Sequence, residues 1–228
     1  MTCTTVLFDL DGTLVDHHCA AVAAAGDFIR QYARHDPADH GGEDPVARWM
    51  RLEEVHFRRY EHGEITHTQQ RRERIRDFFG TPGIDDGRAD ELFGHFLDFY
   101  RSRWTAFPDA ADALNRVRDK GLRVAIVTNG ALALQKMKLE RTGLFTGDLM
   151  MFCSAEIGCA KPDPGIYRHV LDHLDCRASE ALMVGDNLAN DVHAARRAGL
   201  QAIWLARYSR TGNTTGEPFI RSLADLPV

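Results

Sequence analysis

The sequence lacks the marks of several protein classes. No apolar run in its 228 residues approaches the length that spans a bilayer. The longest candidate, Cys19–Gly26, is short and mostly alanine. No basic stretch followed by an apolar one opens the chain, so no secretory signal is expected. Cysteine is sparse and scattered: Cys3, Cys19, Cys153, Cys159 and Cys176, with no C-x-x-C. An odd, dispersed set argues against a disulfide framework and a structural zinc site, and for reduced thiols in a cytoplasmic compartment. Excess positive charge is missing too. The 28 Lys and Arg stand against 33 Asp and Glu, a formal net charge of −5, so no general field attracts nucleic acid. No internal repeat is visible, nor low complexity beyond the alanine run. What remains is an ordinary globular composition, 44% hydrophobic, long enough for one or two domains.

The chain is organised around Thr4–Asp16. The β-branched and apolar run Thr5-Val6-Leu7-Phe8 ends in Asp9 and Asp11, and Gly12 and Thr13 follow. Such a run cut off by Asp-Gly reads as a buried strand entering a turn. Alternate residues of an extended chain point the same way, so both carboxylates are placed to converge on one pocket. Two like charges held close need a cation between them, or one of them keeps its proton. The pair therefore points to a metal, or to an acid beside a nucleophile.

From Asp16 to Thr105 the pattern is helical. Val22, Ala25, Phe28, Ile29 and Tyr32 recur at helix spacing. A polar break follows over His35–Glu43. Asp44-Pro45 has the form of an N-cap with proline in the first turn, and the helix after it carries Val46, Trp49, Met50, Phe57 and Tyr60. His62-Gly63 ends that helix. Thr66 with Gln69 forms a capping box for a helix that buries Ile75, Phe78 and Phe79. A fourth helix places Leu92, Phe93, Phe96, Leu97, Tyr100 and Trp104 on one face. These aromatic stripes read as the core of a helix bundle.

Beyond Phe107-Pro108 strands and helices alternate. Helices are expected over Asp109–Lys120, Ala131–Thr142, from Pro164, and over Asn190–Ala198. Strands are expected over Leu122–Val127, Leu149–Phe152, Ala181–Val184 and Gln201–Leu205, the last clear one. Ser154–Lys161 and Tyr208–Pro218 read as loops, and Asp163 as a cap. Short apolar strands alternating with helices imply a parallel sheet covered on both faces. The expected architecture is an α/β, Rossmann-like parallel-sheet domain, residues 1–15 and 106–228, interrupted after its first strand by an all-helical cap, residues 16–105.

In open α/β sheets ligands sit beyond the carboxyl ends of the strands. Four polar groups fall there: Asp9 with Asp11, Thr128-Asn129-Gly130, Lys161, and Asp186 with Asp191. Each alone has a plain structural explanation, as turn, surface charge or helix cap. Together they fit phosphoryl transfer. Asp9, Asp186 and a backbone carbonyl near Asp11 are hard oxygen ligands suited to octahedral Mg²⁺. Thr128 offers a hydroxyl and nearby N–H donors to a phosphoryl oxygen, and Lys161 a point charge. A carboxylate nucleophile divides hydrolysis into formation and breakdown of an acyl phosphate.

In these motifs the chain resembles the haloacid dehalogenase-like superfamily. The matching residues are Asp9-Leu10-Asp11-Gly12-Thr13, Thr128, Lys161-Pro162-Asp163-Pro164, and Gly185-Asp186 through Asp191, in the family's order. The helical insertion is similar to the family's cap. Val127–Gly143, VTNGALALQKMKLERTG, is similar to the branch of nucleotide and other small-molecule phosphatases. The resemblance implies Asp9 as nucleophile and Mg²⁺ ligand. It implies Asp11 as the acid for the leaving oxygen and then the base for water, with its backbone carbonyl on the metal. Thr128, Asn129, Gly130 and Lys161 would hold the phosphoryl group, and Asp186 the metal. Asp191 would stand behind them, orienting a metal water or Lys161. Gly12 and Gly185 would permit tight turns near the phosphate. The dehalogenase branch lacks the second aspartate, so Asp11 argues for phosphate chemistry. Asp109 departs from the family, where glycine is common, and predicts a local change without loss of chemistry.

The implied activity is Mg²⁺-dependent hydrolysis of a small phosphorylated metabolite: a nucleotide, phosphoglycolate or a sugar phosphate. A phosphomutase and a catalytically silent binding protein are the alternatives. No nucleic-acid or membrane partner is expected. His17 and His18 suit an exposed hinge as well as a cleft. Arg58, Arg59, Arg71, Arg72, Arg74 and Arg76 read as a solvated helix face that could also greet an anion. Thr66 and His67 lie where relatives place specificity residues.

Overall fold

The computed structural model describes residues 3–33, 42–207 and 216–227. The breaks expected over His35–Glu43 and Tyr208–Pro218 lie mostly outside the described residues. The chain forms two compact units, Met1–Asp16 with Thr105–Val228, and His17–Trp104.

The first unit is a six-stranded parallel sheet with helices, the α/β class expected. Its strands are β1 (Thr5–Phe8), β2 (Arg123–Thr128), β3 (Met150–Cys153), β4 (Ala181–Gly185), β5 (Gln201–Leu205) and β6 (Phe219–Ile220). Their spatial order is β3-β2-β1-β4-β5-β6, every pairing parallel. Side chains alternate between two cores. Val6 and Phe8 pack with Leu114, Val117, Ile126 and Leu139, while Leu7 packs with Ala125, Val127, Tyr167, Val170 and Met183. β1 is therefore buried on both faces, which is why its sequence is continuously apolar. Phe8 lies opposite Ile126 on one side and Val184 on the other. That register brings Asp9, Thr128 and Asp186 out of three adjacent strands within about one residue of the same level.

Several local details differ from expectation. The segment after β3 opens with a single helical turn, Ser154–Ile157, rather than a plain loop. Asp163 accepts the Gly165 N–H at 2.8 Å, so the next helix, Gly165–His173, starts one residue later than Pro164. The segment expected as a helix over Asn190–Ala198 opens earlier, as a π-helical turn, Leu188–His193, before the α-helical Ala194–Arg197. The short β6 lies beyond the strand expected to be the last. Two residues of extended chain are too few for an alternating pattern to show.

The second unit is helical throughout its regular elements: α1 (His17–Tyr32), α2 (Pro45–Glu61), α3 (His67–Phe78) and α4 (Asp86–Ser102). The expected caps form. The Asp44 side chain accepts from Ala47 N–H at 2.8 Å, and the Thr66–Gln69 box closes in both directions at 3.1 and 2.8 Å. Trp49 is fully buried, with Phe28, Phe78, Phe93 and Phe96 at ring centroid distances of 4.6–6.4 Å. Val22, expected inward, is exposed. α1 instead buries the stripe Ala20, Ala21, Ala24, Ala25 and Phe28, in which the four alanines leave room for neighbouring helices.

Candidate active site

Asp9 follows the last residue of β1, its N–H donating to the Val184 carbonyl at 2.9 Å. Lys161 Nζ donates to Asp9 Oδ1 and to Asp191 Oδ1, each at 2.6 Å, and all three side chains are buried. Lys161 is aimed by its own backbone. Asn129 Nδ2 donates to the Lys161 carbonyl at 2.8 Å, and Lys161 N–H donates to Asn129 Oδ1 at 2.9 Å. The π-helical turn aims Asp191, whose Oδ2 accepts the Asn187 N–H at 2.9 Å. Tyr167 holds that turn, its hydroxyl donating to the Asn190 carbonyl at 2.7 Å.

Asp9, Asp186 and Asp191 bring carboxylate oxygens within 4.8 Å of one another. Three carboxylates against one ammonium leave uncompensated negative charge in a buried place, which a divalent cation would balance. Burial pushes the Asp9 carboxyl up to about 7, with the Lys161 ammonium pulling the other way. Burial, then the charges of Asp9 and Asp191, raise Asp186. Burial opposes the Lys161 charge, but Asp191 and Asp9 outweigh it and raise its pKa. The donor set fits Mg²⁺, since every candidate ligand is a hard oxygen. One Asp191 oxygen faces Lys161 and the other Asn187 N–H, leaving Asp9 and Asp186 as the freer carboxylates. Trp204 Nε1 anchors the Asp186 carbonyl at 2.8 Å.

Two glycines make this packing possible. Gly12 has φ +85°, and a Cβ there would lie 2.3 Å from Asp186 Oδ2. A Cβ on Gly185 would lie 2.3 Å from Asp191 Cγ. Only hydrogen fits at either point.

Asp11 takes different partners from Asp9. Its Oδ1 receives Lys138 Nζ at 2.5 Å and its Oδ2 receives Gln135 Nε2 at 3.0 Å. Gln135 also donates to Thr128 Oγ1 at 2.9 Å and to the Asn129 carbonyl at 3.1 Å. Gly130 N–H donates to Ser154 Oγ at 2.9 Å. Gln135 and Lys138 lie three residues apart on the helix after β2, Leu132–Arg141, and are buried. Sequence reading missed both. The available signal was two polar residues one helical turn apart on a helix whose Leu132 and Met137 are exposed.

Asp109 also acquires a role the sequence did not reveal. It accepts from both terminal nitrogens of Arg207, at 3.0 and 2.7 Å, from Ser222 Oγ at 2.7 Å and from Leu223 N–H at 2.8 Å. It fastens the start of one helix to Ser222 and Leu223, and its partner Arg207 also donates to the Thr13 carbonyl at 3.0 Å.

The remaining candidates lie in the helical unit. His17 Nδ1 hydrogen-bonds Tyr100 Oη at 2.6 Å, so His17 is built into the bundle, whereas His18 is exposed. Arg72 pairs with Asp86 and Asp90, Arg76 with Asp86, Arg58 with Glu54, and Arg59 with Glu73. Arg74 departs from the solvated face expected. It is buried, 3.2 Å from Glu53, with its guanidinium over the Trp49 and Phe93 rings. Arg71 lies over Phe93 as well. A helical wheel marks these as polar positions but does not show that aromatic rings cover them. Thr66 caps α3, and His67 packs on Tyr60.

The sheet order, the acidic cluster and the lysine between its members define a hydrolase core of one kind, and residues 3–199 match the family model of haloacid dehalogenase-like hydrolases. The chain belongs to that family. It is 37% identical over 151 residues to a phosphoserine phosphatase of Thermus thermophilus, covering 66% of this chain and 60% of that enzyme. It is 33% identical over 213 residues to a phosphoglycolate phosphatase of Cupriavidus necator, covering 93% and 84%. The fold is also similar to that of the HAD-hydrolase YfnB from Bacillus subtilis, whose structure is bound to magnesium, with a TM-score of 0.83 at 23% identity over 99% of this chain and 97% of that one.

Proposed function

We propose that this chain is a Mg²⁺-dependent phosphatase of small phosphomonoesters, acting through a phosphorylated Asp9. The observation that carries the reading is Lys161, whose ammonium joins Asp9 and Asp191 at 2.6 Å each beside Asp186. The names of its relatives, a phosphoserine and a phosphoglycolate phosphatase, support the same class of substrate.

In the first half, an Asp9 carboxylate oxygen attacks phosphorus and the ester P–O bond breaks. The departing alkoxide takes a proton from the Asp11 carboxyl. In the second half, Asp11, now a carboxylate, takes a proton from water as the water oxygen attacks phosphorus. The Asp9–phosphorus bond breaks, giving inorganic phosphate and restoring Asp9. The Thr128 hydroxyl accepts from Gln135 at 2.9 Å and donates to the Asn129 carbonyl only at 3.4 Å, so its proton is available to turn to a phosphoryl oxygen. The N–H groups that follow Thr128 and the Lys161 ammonium serve the same group. Asp9, Asp186 and the Asp11 carbonyl would hold Mg²⁺, which when bound supplies charge neutralisation at the phosphoryl oxygens. Asp191 orients Lys161.

The test is phosphate release from a panel of nucleotides, sugar phosphates and phosphorylated short acids, with Mg²⁺ and with chelator, and with Asp9→Asn as the blank. Metal-dependent release that the variant lacks is expected. Wild-type turnover by Asp9→Asn would overturn the covalent mechanism.

A further inference from the structure

Asp11 is held at both oxygens by one face of one helix. Lys138 and Gln135 are each buried, and each spends a donor on a different Asp11 oxygen, at 2.5 and 3.0 Å. Burying an ammonium and a primary amide is costly unless their hydrogen bonds are made. The Asn129 carbonyl only accepts, so it faces the NH₂ end of the Gln135 amide, and the Asp11 oxygen beside that end receives the same group. Gln135 also ties Asp11 to Thr128, through Nε2 contacts of 3.0 and 2.9 Å. A carboxylate on an exposed turn would sample several rotamers, and donors on both oxygens restrict it to one.

We infer that Lys138 and Gln135 are positioning residues that fix the aim of Asp11 and couple it to the phosphate-binding hydroxyl of Thr128. The inference rests on the phosphoenzyme reading above. Neither residue touches the reacting atoms: Lys138 acts through Asp11, and Gln135 through Asp11 and Thr128.

An aryl phosphate separates this role from general damage. A nitrophenolate leaves without needing a proton, so on p-nitrophenyl phosphate Asp11 works only in the second half, when water attacks. Misaiming Asp11 then slows breakdown of the phosphoenzyme and leaves its formation alone. For Lys138→Met, kcat on p-nitrophenyl phosphate should fall about 10- to 100-fold. Its kcat/KM should stay within about three-fold of wild type, so KM falls with kcat. Rapid mixing should show a burst of nitrophenolate approaching one per active site, and acid-quenched chain should carry more phosphate than wild type. Gln135→Leu should show the same burst but lose kcat/KM as well, because its bond to Thr128 goes with it, and Lys138→Arg should recover part of kcat. A structural fault lowers kcat and kcat/KM together and gives no burst. That result in Gln135→Leu and in whichever Lys138 variant melts cooperatively would overturn the inference, as would unchanged kcat in both. If the wild type forms no phosphoenzyme and Asp9→Asn keeps turnover, the phosphatase mechanism itself fails. If the wild type forms it and the Lys138 and Gln135 variants break it down normally, only the positioning role fails.

Discussion

The Asn129 side chain and the Lys161 backbone grip each other by two hydrogen bonds, Nδ2 to carbonyl at 2.8 Å and N–H to Oδ1 at 2.9 Å. One side-chain amide thus joins the loop after β2 to the segment that carries the buried lysine, 32 residues on. Asn129→Ala removes both bonds and frees that segment to shift. Turnover should fall about 10- to 100-fold, since small misplacements of a charge-neutralising group are costly at that scale. Steady-state kinetics on the best substrate of the panel checks this, and an unchanged kcat would show that Lys161 is held by other means.

Lys161 is the sole ammonium among the described residues contacting Asp9 and Asp191. Lys161→Met leaves two buried carboxylates without it and should cost about 3–5 kcal/mol of stability. Denaturant unfolding measures the loss. Saturating Mg²⁺ should recover part of it, because a ligand that binds only the folded chain stabilises it, by about 2.7 kcal/mol at a hundred times Kd. A loss well under about 1 kcal/mol would mean that the carboxylates find water or take up protons at little cost.

A glycine can be required for a left-handed backbone, for space, or for both. Gly12, Gly143 and Gly185 make the comparison. Gly143→Ala meets φ +73° with nothing within 4 Å, and should cost about 1–2 kcal/mol with turnover intact. Gly12→Ala adds a collision with Asp186 to the same φ penalty and should abolish Mg²⁺ binding by calorimetry. Gly185→Ala has no φ penalty but drives into Asp191, so it should lose turnover too. Normal Mg²⁺ affinity in Gly12→Ala would contradict the close packing at Asp186.

Two acid limbs are expected, one in each unit. Burial, then Arg71 and Arg74, hold the His67 imidazole at about 4, below its ordinary value. The unfolded chain therefore binds more protons than the folded one between about pH 6.5 and pH 4, so this contribution is full above that window and lost as pH falls through it. For Asp109, burial alone would raise the carboxyl; bonds from Arg207, Ser222 and Leu223 outweigh it and hold it at about 2. Its contribution is full above about pH 4 and lost between there and about pH 2. His67→Gln should flatten the upper limb and Asp109→Asn the lower one in unfolding measured against pH. Two unchanged profiles would show that other groups set the acid limits.

The features legible in the residue order alone were local. The strand ending at Asp9, the caps at Asp44 and Thr66, and the order of the polar groups at the strand ends all act over a few residues, so their periodicity and spacing were legible. The α/β class followed from the alternation of short apolar strands with helices. Tertiary structure decided which of those groups meet. Lys161 reaches Asp9 across 152 residues and Asp191 across 30, through strand order and register rather than any local pattern. The helix Leu132–Arg141 turns Gln135 and Lys138 inward and leaves Leu132 and Met137 exposed, the reverse of a hydrophobic reading. Arg74 is buried because aromatic rings and Glu53 close over it. A buried charge is accepted only where its partner comes within reach, and distant partners are brought there by the packed fold alone.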